Sequence, residues 1–352
     1  MHTVRTKPAP VGYARYAMAL GAARSRLEAV ARAEGENWHA TADAIKSAIA
    51  PGDTVTPGWA PELVPNIGGE FAAAVGPATL VSRIASWHRV PFDVPAVSGA
   101  AQAVASWAGQ GLFQKLTVSS FASQTLPRRK VIGNLVESLE LLRSSTFSAE
   151  ATVGADMRRA MAKAIDTAML DSTNDGASDS APVSLTYNVT PISSSGVDAA
   201  AICADLAQAI QALSDAGSDL ANACVIMSTR TAIALSLMLG SGGSPTFPGM
   251  TVAGGRIAGL PAFASPWMPI AATTGSPTQI VVCDPSQIWL ADEQAAAIEV
   301  GEYGTAELSD SEGSGTVVSL WQRGLAALRL LRFLNWSPVR TGMTQVIDGV
   351  EI

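Results

Sequence analysis

Few residues of this chain could do covalent or metal chemistry, and none is spaced for it. There are three histidines. His2 is terminal, His39 follows Trp38 in a helical tract, and His88 stands at the start of a strand; each reads as a structural histidine. No Gly-x-Ser-x-Gly elbow accompanies them, so a Ser-His-Asp arrangement has no nucleophile. Cys203, Cys224 and Cys283 are isolated, odd in number and flanked by apolar residues. That usage reads as buried thiols in a reducing compartment, not as a disulfide framework. No paired Cys or His falls at metal-ligand spacing. The acidic runs Asp171-Ser172-Thr173-Asn174-Asp175 and Asp310-Ser311-Glu312-Gly313 lack the ligand spacing of a calcium loop and read as solvated turns. Gly254-Gly255 through Gly259 is not a dinucleotide fingerprint. The expectation is a chain with no catalytic residue, no cofactor, no metal and no enzymatic activity.

Composition says where the surface goes. Charged residues are 15% and hydrophobic residues 48% of the 352, against roughly 25% charged in an average soluble protein. Such a chain sits in a membrane or buries much of its surface against other copies. No run reaches the ~18 apolar residues of a spanning helix. The richest, Thr231 to Leu239 and Leu325 to Leu334, are too short, and the second holds Arg329 and Arg332. The centres of subunit interfaces are depleted of charge, so self-assembly is the reading that remains. The basic N-terminus, Met1 to Lys7, is followed by no apolar signal core, and nothing suggests secretion. A net charge of −7 argues against a dedicated nucleic-acid binder.

The elements follow from periodicity. Tyr13 to Ala50 reads as Ala-rich helix, ended by Pro51-Gly52-Asp53. Val90, Phe92 and Val94 alternate with Pro91, Asp93 and Pro95, an edge strand. A Ser/Gly/Ala stretch leads to Ser106-Trp107-Ala108-Gly109-Gln110-Gly111, then Leu116 and Val118 alternate on the way back to Phe121. Two extended arms joined at a glycine-bearing tip make a long hairpin with too few apolar residues for its own core, so it should lie on something else. Lys130 to Glu137 reads as a strand with a bend or bulge at Gly133. Ser148 is a good N-cap for a helix of about 25 residues. Val153, Met157, Met161, Ile165, Ala168 and Met169 fall on one face, with Arg158, Arg159, Lys163 and Asp166 on the rest of the cylinder. Asn174-Asp175-Gly176 stops it. Beyond come a strand Val183 to Val189, a helix Asp198 to Ala216, a strand Ala223 to Met227 and a helix from Ser228 to Leu239. A Gly/Ser/Pro loop, strands at Gly255 to Phe263 and Ile280 to Cys283, long strands at Ile298 to Val300 and Val317 to Phe333, and a terminal turn at Trp336 to Arg340 complete the chain.

The strand, the Ser138-Leu139-Glu140-Leu141-Leu142-Arg143-Ser144-Ser145 step and the long helix resemble the spine of a tailed-bacteriophage major capsid protein, the Hong Kong ninety-seven fold. The ordered set Val225-Ile226-Met227-Ser228-Thr229-Arg230, Gly259-Leu260-Pro261-Ala262-Phe263 and Val281-Val282-Cys283-Asp284-Pro285-Ser286-Gln287-Ile288-Trp289-Leu290 is similar to the axial domain of these proteins. The resemblance covers Leu63 to the C-terminus; the first sixty residues are assigned by position. It implies an α+β fold with an N-terminal arm at 1–60 and a peripheral domain with the spine helix at 61–88, 131–182 and 293–332. The extended loop would be 89–130 and the axial domain 183–292 and 333–352.

The same resemblance implies a virion protein, assembled in the bacterial host cytoplasm, that builds hexamers and pentamers of an icosahedral shell around double-stranded DNA. Scaffolding, portal and decoration proteins are its implied further partners, and no membrane is involved. Its Trp-x-Gly-x-Gly segment carries Gln110 where the family usually has Glu. The residues it assigns to assembly are Trp107, Gly109, Gly111 and Phe121 of the loop, with Arg128, Arg129, Arg158 and Arg159 of the loop base and spine. Those cations pair with acidic groups of neighbouring subunits or touch packaged DNA weakly and without sequence specificity. A second reading, an encapsulin-type bacterial compartment of the same fold, carries enzyme cargo instead of DNA.

Overall fold

In the computed structural model, placement is described for residues 12–21, 23, 25–47, 79–99, 107, 121–140, 147–176, 181–240, 243–269, 278–301, 304–309 and 315–351. The helices are α1 (Gly12–Gly21), α2 (Arg26–Gly35), α3 (His39–Ser47), α4 (Leu80–Arg83), α5 (Phe147–Leu170), α6 (Ala199–Asp215), α7 (Thr229–Leu237) and α8 (Leu320–Arg323). The strands begin with β1 (His88–Arg89), β2 (Pro95–Gly99), β3 (Phe121–Thr125), β4 (Lys130–Ser138), β5 (Ile192–Ser193), β6 (Cys224–Ser228), β7 (Met250–Thr251) and β8 (Gly254–Ile257). They continue with β9 (Leu260–Ser265), β10 (Thr278–Cys283), β11 (Ile288–Gly301), β12 (Thr305–Ser309), β13 (Gly315–Ser319), β14 (Leu325–Pro338) and β15 (Thr344–Val350).

Two sheets organise the chain. One has four strands in the order β1-β11-β14-β4, with the long helix α5 on one face. The other has seven, in the order β5-β15-β10-β6-β9-β8-β7. Its interior strand β10 is buried along its whole length, as the run Ile280-Val281-Val282-Cys283 requires. Alternate residues of β6, β10 and β15 feed two cores. Val225, Met227, Ile280, Val282 and Ile347 pack under α6 and α7. Cys224, Ile226, Val281 and Cys283 face the other way, towards Ile165, Met169 and Leu170 of α5 and Leu290, Leu334 and Trp336 of the four-stranded sheet. That second core makes the two sheets one body.

Helix α5 buries Met157, Met161, Ile165 and Met169 of the apolar stripe expected from spacing, leaves Ala168 half-buried and adds Leu170. Three expectations around it change. The helix begins at Phe147, so Ser148 lies inside its first turn, and it ends at Leu170, before Asn174. Gly133 is no bulge, because β4 pairs with β14 without a register shift from Ser138 to Lys130. A Cβ there would stand 3.2 Å from Met161 Sδ, so the glycine lets α5 approach the strand closely. Asp166 does not face solvent; it is buried.

Segments 183–189 and 317–333 also differ from expectation. Residues 183–189 are turns, not a strand. Their polar groups terminate α5: Ser184 Oγ and Leu185 N–H donate to Met169 O, and Thr186 Oγ1 donates to Leu170 O. Gln279 Nε2 also donates to Leu170 O, and Asn174 Nδ2 to Ala168 O. The last carbonyls of the helix, otherwise orphaned, are thereby satisfied. Val317 to Phe333 is broken by the single turn α8, which closes on Gly324 at φ 62°. Trp336 to Pro338 continues β14, and the turn follows at Arg340 to Gly342.

The N-terminal helices pack on one another through Ala19, Ala29, Val30, Ala33, Ala42 and Ile45. Helix α1 then rests on α5, β11 and β14 of its own chain. Of the cysteines, Cys224 and Cys283 are buried neighbours with Sγ atoms 3.7 Å apart, whereas Cys203 is exposed, against the expectation of three buried thiols.

Candidate assembly surfaces

The residues expected to act in assembly lie on two elements. Strands β2 and β3 pair antiparallel from Pro95↔Thr125 to Gly99↔Phe121 and are largely exposed on both arms. The pairing runs in register and buries almost nothing, so these arms hold no core of their own. Trp107, between them in sequence, is fully exposed. Gly109 and Gly111 lie outside the described residues, and Phe121 opens β3. The run Val90 to Pro95, expected as one strand, is interrupted by a turn at Phe92-Asp93, where Asp93 takes φ 59°.

That turn builds the hairpin's base. Arg128 sits over the rings of Phe92 and Phe333, 5.6 and 5.9 Å from their centroids. Its guanidinium reaches Asp93 at 3.3 Å and Glu293 at 3.8 Å. The cation expected to seek acidic groups on a neighbour thus has acidic partners within its own chain. Asn335 Nδ2 donates to Pro127 O, Ser337 Oγ to Gln124 Oε1, and Leu334 N–H to Arg129 O. Leu126, Trp289 and Ala291 form the small core beneath. An exposed arm is therefore anchored on a rigid foot.

The second surface is the outer stripe of α5. Asp156, Arg159, Ala160, Lys163 and Ala164 are exposed at i, i+3, i+4, i+7 and i+8, while Arg158 is half-buried towards its flank. Across the edge of β4, partial burial and the nearby Asp156 carboxylate push the Glu137 carboxyl above its usual range. Arg158 and Arg159 share a helix; Arg128 and Arg129 stand at the hairpin foot on the sheet it covers. A third exposed feature is Val317 and Trp321, which follow one another on β13 and α8.

The reading from sequence missed the buried polar pairs. Arg332 and Asp292 face each other at 2.7 Å with both side chains 2% exposed. Asp166 accepts from Leu80 N–H at 3.0 Å and from Ser265 Oγ at 2.6 Å, joining α5, α4 and β9. Burial pushes its carboxyl up to about 6, against the smaller lowering by those two donors and by Arg83. Arg83 in turn donates to Ala264 O and Ala253 O. Among the described residues no group of three or more His, Cys, Asp or Glu is placed to hold a metal. No described helix is long and apolar enough to cross a membrane.

The sequence matches the Phage capsid family over residues 61–311. The chain belongs to that family. A capsid polyprotein of Pseudomonas phage PAJU2 is 29% identical over 319 residues, covering 87% of this chain and 47% of the relative. The chain therefore spans about half the length of that curated relative. Among solved structures, Microbacterium phage Oxtober96 matches with a TM-score of 0.53 and 14% identity, covering 77% of this chain and 90% of that one. The capsid of a native GTA particle matches at 0.52 and 15% identity, covering 76% and 89%. Gordonia phage Cozz matches at 0.51 and 16% identity, covering 77% and 86%. These likenesses establish the α+β Hong Kong ninety-seven fold, and the phage capsid protein is a structural component of the virion.

Proposed function

We propose that this phage capsid protein is the major shell subunit, self-assembling as hexamers and pentamers around double-stranded DNA. The observation that carries the reading is the hairpin. It is an exposed arm without its own core, with a bare Trp107 between its two strands in sequence, and it is fastened at its base by Arg128. Such an arm is stable only on another surface, and the surface it fits is a neighbouring copy. In this reading the four-stranded sheet with α5 is the peripheral domain, the seven-stranded sheet is the axial domain, and residues 89–130 are the extended loop. Many such arms spread modest contacts over many subunits, so the shell gains by multivalency what no single contact supplies.

The role is mechanical, with no catalytic step and no cofactor. Scaffolding, portal and decoration proteins are its further partners. DNA inside the shell meets Arg159 and Lys163 only weakly, and assembly takes place in the host cytoplasm. The encapsulin reading is disfavoured, because the curated relative is a phage capsid polyprotein.

The test is size-exclusion chromatography and negative-stain electron microscopy of the full chain, alone and with a lysate of phage-infected host. Closed shells or capsomer rings are expected. Trp107→Ala should reduce them more than Trp38→Ala, since Trp38 packs within the N-terminal helices. A monomer under both conditions, or the opposite ranking, would overturn the reading of the loop.

A further inference from the structure

Cys224 and Cys283 form a thiol pair inside one sheet. Strands β6 and β10 run antiparallel, and the two residues stand directly opposite each other in the last rung of that ladder. Their Sγ atoms are 3.7 Å apart, and neither residue is more than 1% exposed. Directly opposed residues of an antiparallel pair have Cα atoms about 4.5 or 5.5 Å apart, according to the rung. Both values fall inside the roughly 4.4–6.8 Å that a disulfide spans. The two sulfurs need only close on each other, with little movement of the strands.

Position makes the pair reachable. Cys224 opens β6 and Cys283 closes β10, where it also makes the end rung against Thr344 of β15. Ala221 and Asn222, just before β6, are exposed, so the rung lies near solvent at a sheet end, where strands open at small cost. The hydrogen bond with Cys283 and burial hold the Cys224 thiol well above its usual range, and the thiolate is the form that attacks a disulfide. Exchange is therefore slow while the sheet is closed. The chain between the two cysteines carries α7, β7, β8 and β9, so a bond here closes a covalent loop around that side of the sheet. We propose that Cys224 and Cys283 are a conditional staple, free thiols in the reducing cell and a disulfide after long exposure to an oxidising exterior. The bond rests on the geometry; its timing rests on the capsid reading above, since a shell leaves the cell that built it. With oxidised glutathione as oxidant, one cysteine thiolate attacks its S–S bond, forms a mixed disulfide and releases one glutathione thiolate. The second cysteine thiolate attacks the protein sulfur of that mixed disulfide and releases the other glutathione. The two protons lost by the cysteines are taken up by the two glutathione thiolates, so two cysteines are oxidised and one glutathione disulfide is reduced.

The test uses the full chain carrying Cys203→Ser, which removes the exposed thiol, fully reduced and then held for days in oxidised glutathione. Its intact mass should fall by two hydrogen atoms, and digestion without reductant should recover the segments around Cys224 and Cys283 as one linked species. The thermal midpoint should rise by about 5 °C or more, and dithiothreitol should reverse both readings. Cys224→Ala and Cys283→Ala, each on the same background, should give no link and the same midpoint in either condition. A folded chain that keeps both thiols, or links them only in denaturant, overturns the staple, and so does a link that leaves the midpoint unchanged. A chain that links but never forms shells, alone or with infected lysate, overturns the capsid reading and leaves the bond standing. Shells from a chain that never links do the reverse.

Discussion

Asp166 and Ser265 are joined by a 2.6 Å hydrogen bond across 99 residues of sequence, and that bond fastens the spine helix to strand β9 of the second sheet. The same carboxylate accepts from Leu80 N–H at the start of α4, so one buried group ties three elements together. Burial holds its native pKa at about 6, above the ordinary 3.8. A carboxyl raised on folding binds its proton more tightly in the native chain. Its contribution is therefore complete below the unfolded value and lost as pH rises through the native one. Over that window the loss is about 3 kcal/mol, since each tenfold gain in proton affinity corresponds to roughly 1.4 kcal/mol. Asp166→Asn keeps an acceptor for Leu80 and a partner for Ser265 but cannot ionise. Denaturation of both proteins near pH 5 and near pH 7.5 should show the variant gaining on the unaltered chain as pH rises. Parallel pH profiles would mean that Asp166 is solvated or already paired.

Arg332 and Asp292 make a different kind of buried polar contact. Arg332 donates through Nε at 3.1 Å and Nη2 at 2.7 Å to the two carboxylate oxygens, while its Nη1 finds no partner among the described residues. Removing one member of such a pair leaves the other charge stranded and costs about 3–5 kcal/mol. Asp292→Ala should therefore lower thermal stability sharply. The double change Asp292→Leu with Arg332→Met, which removes both charges and refills the space, should recover most of the loss. If the double variant is as weak as the single, packing around β11 and β14 and not the stranded charge is responsible.

The end of the spine helix depends on side chains fourteen to sixteen positions downstream. Ser184 Oγ and Thr186 Oγ1 donate to the last two carbonyls and to nothing equivalent elsewhere in the helix. A net hydrogen bond is worth about 1 kcal/mol, and without these hydroxyls Met169 O keeps Leu185 N–H and Leu170 O keeps Gln279 Nε2. Ser184→Ala and Thr186→Val should each destabilise by about 1 kcal/mol. Hydrogen exchange should show the extra opening confined to the last turn of α5, near Leu170. Uniformly faster exchange along the whole helix would argue against a local cap.

These contacts also mark how far the sequence could be read. The apolar period of α5, the strand at Lys130 and, in the second sheet, α6, β6, α7, β9 and β10 were legible because each is set by local burial and local period, whereas β5, β7 and β15 were not. Asp166 was not, since a carboxylate at a helical position reads as solvent-facing unless its partners are known. Those partners, Leu80 and Ser265, are remote in sequence. Val183 to Val189 alternates as a strand does, yet its polar members serve as caps for a distant helix. Gly133 signals backbone freedom from sequence alone, and only the packed Met161 shows that the need was space. In the long run Val317 to Phe333, Gly324 was the one residue able to take the left-handed conformation that breaks it. The assembly residues were placed by resemblance, and the fold shows Arg128 occupied within its own chain.

Arg128 makes the last prediction. Its side chain is about half exposed, at 52%, so its ion pairs with Asp93 and Glu293 are screened and contribute little to global stability. Its planar guanidinium nonetheless spans two rings and two carboxylates, fixing the angle at which the β2–β3 arm leaves the body. Arg128→Ala should therefore change the unfolding free energy by no more than about 1 kcal/mol. Backbone amides of β2 and β3 should exchange faster, and the yield of closed shells should fall. Arg128→Lys should restore charge but not the arm, because an ammonium cannot stack flat between Phe92 and Phe333. Recovery of normal shells by lysine would show that charge alone orients the hairpin.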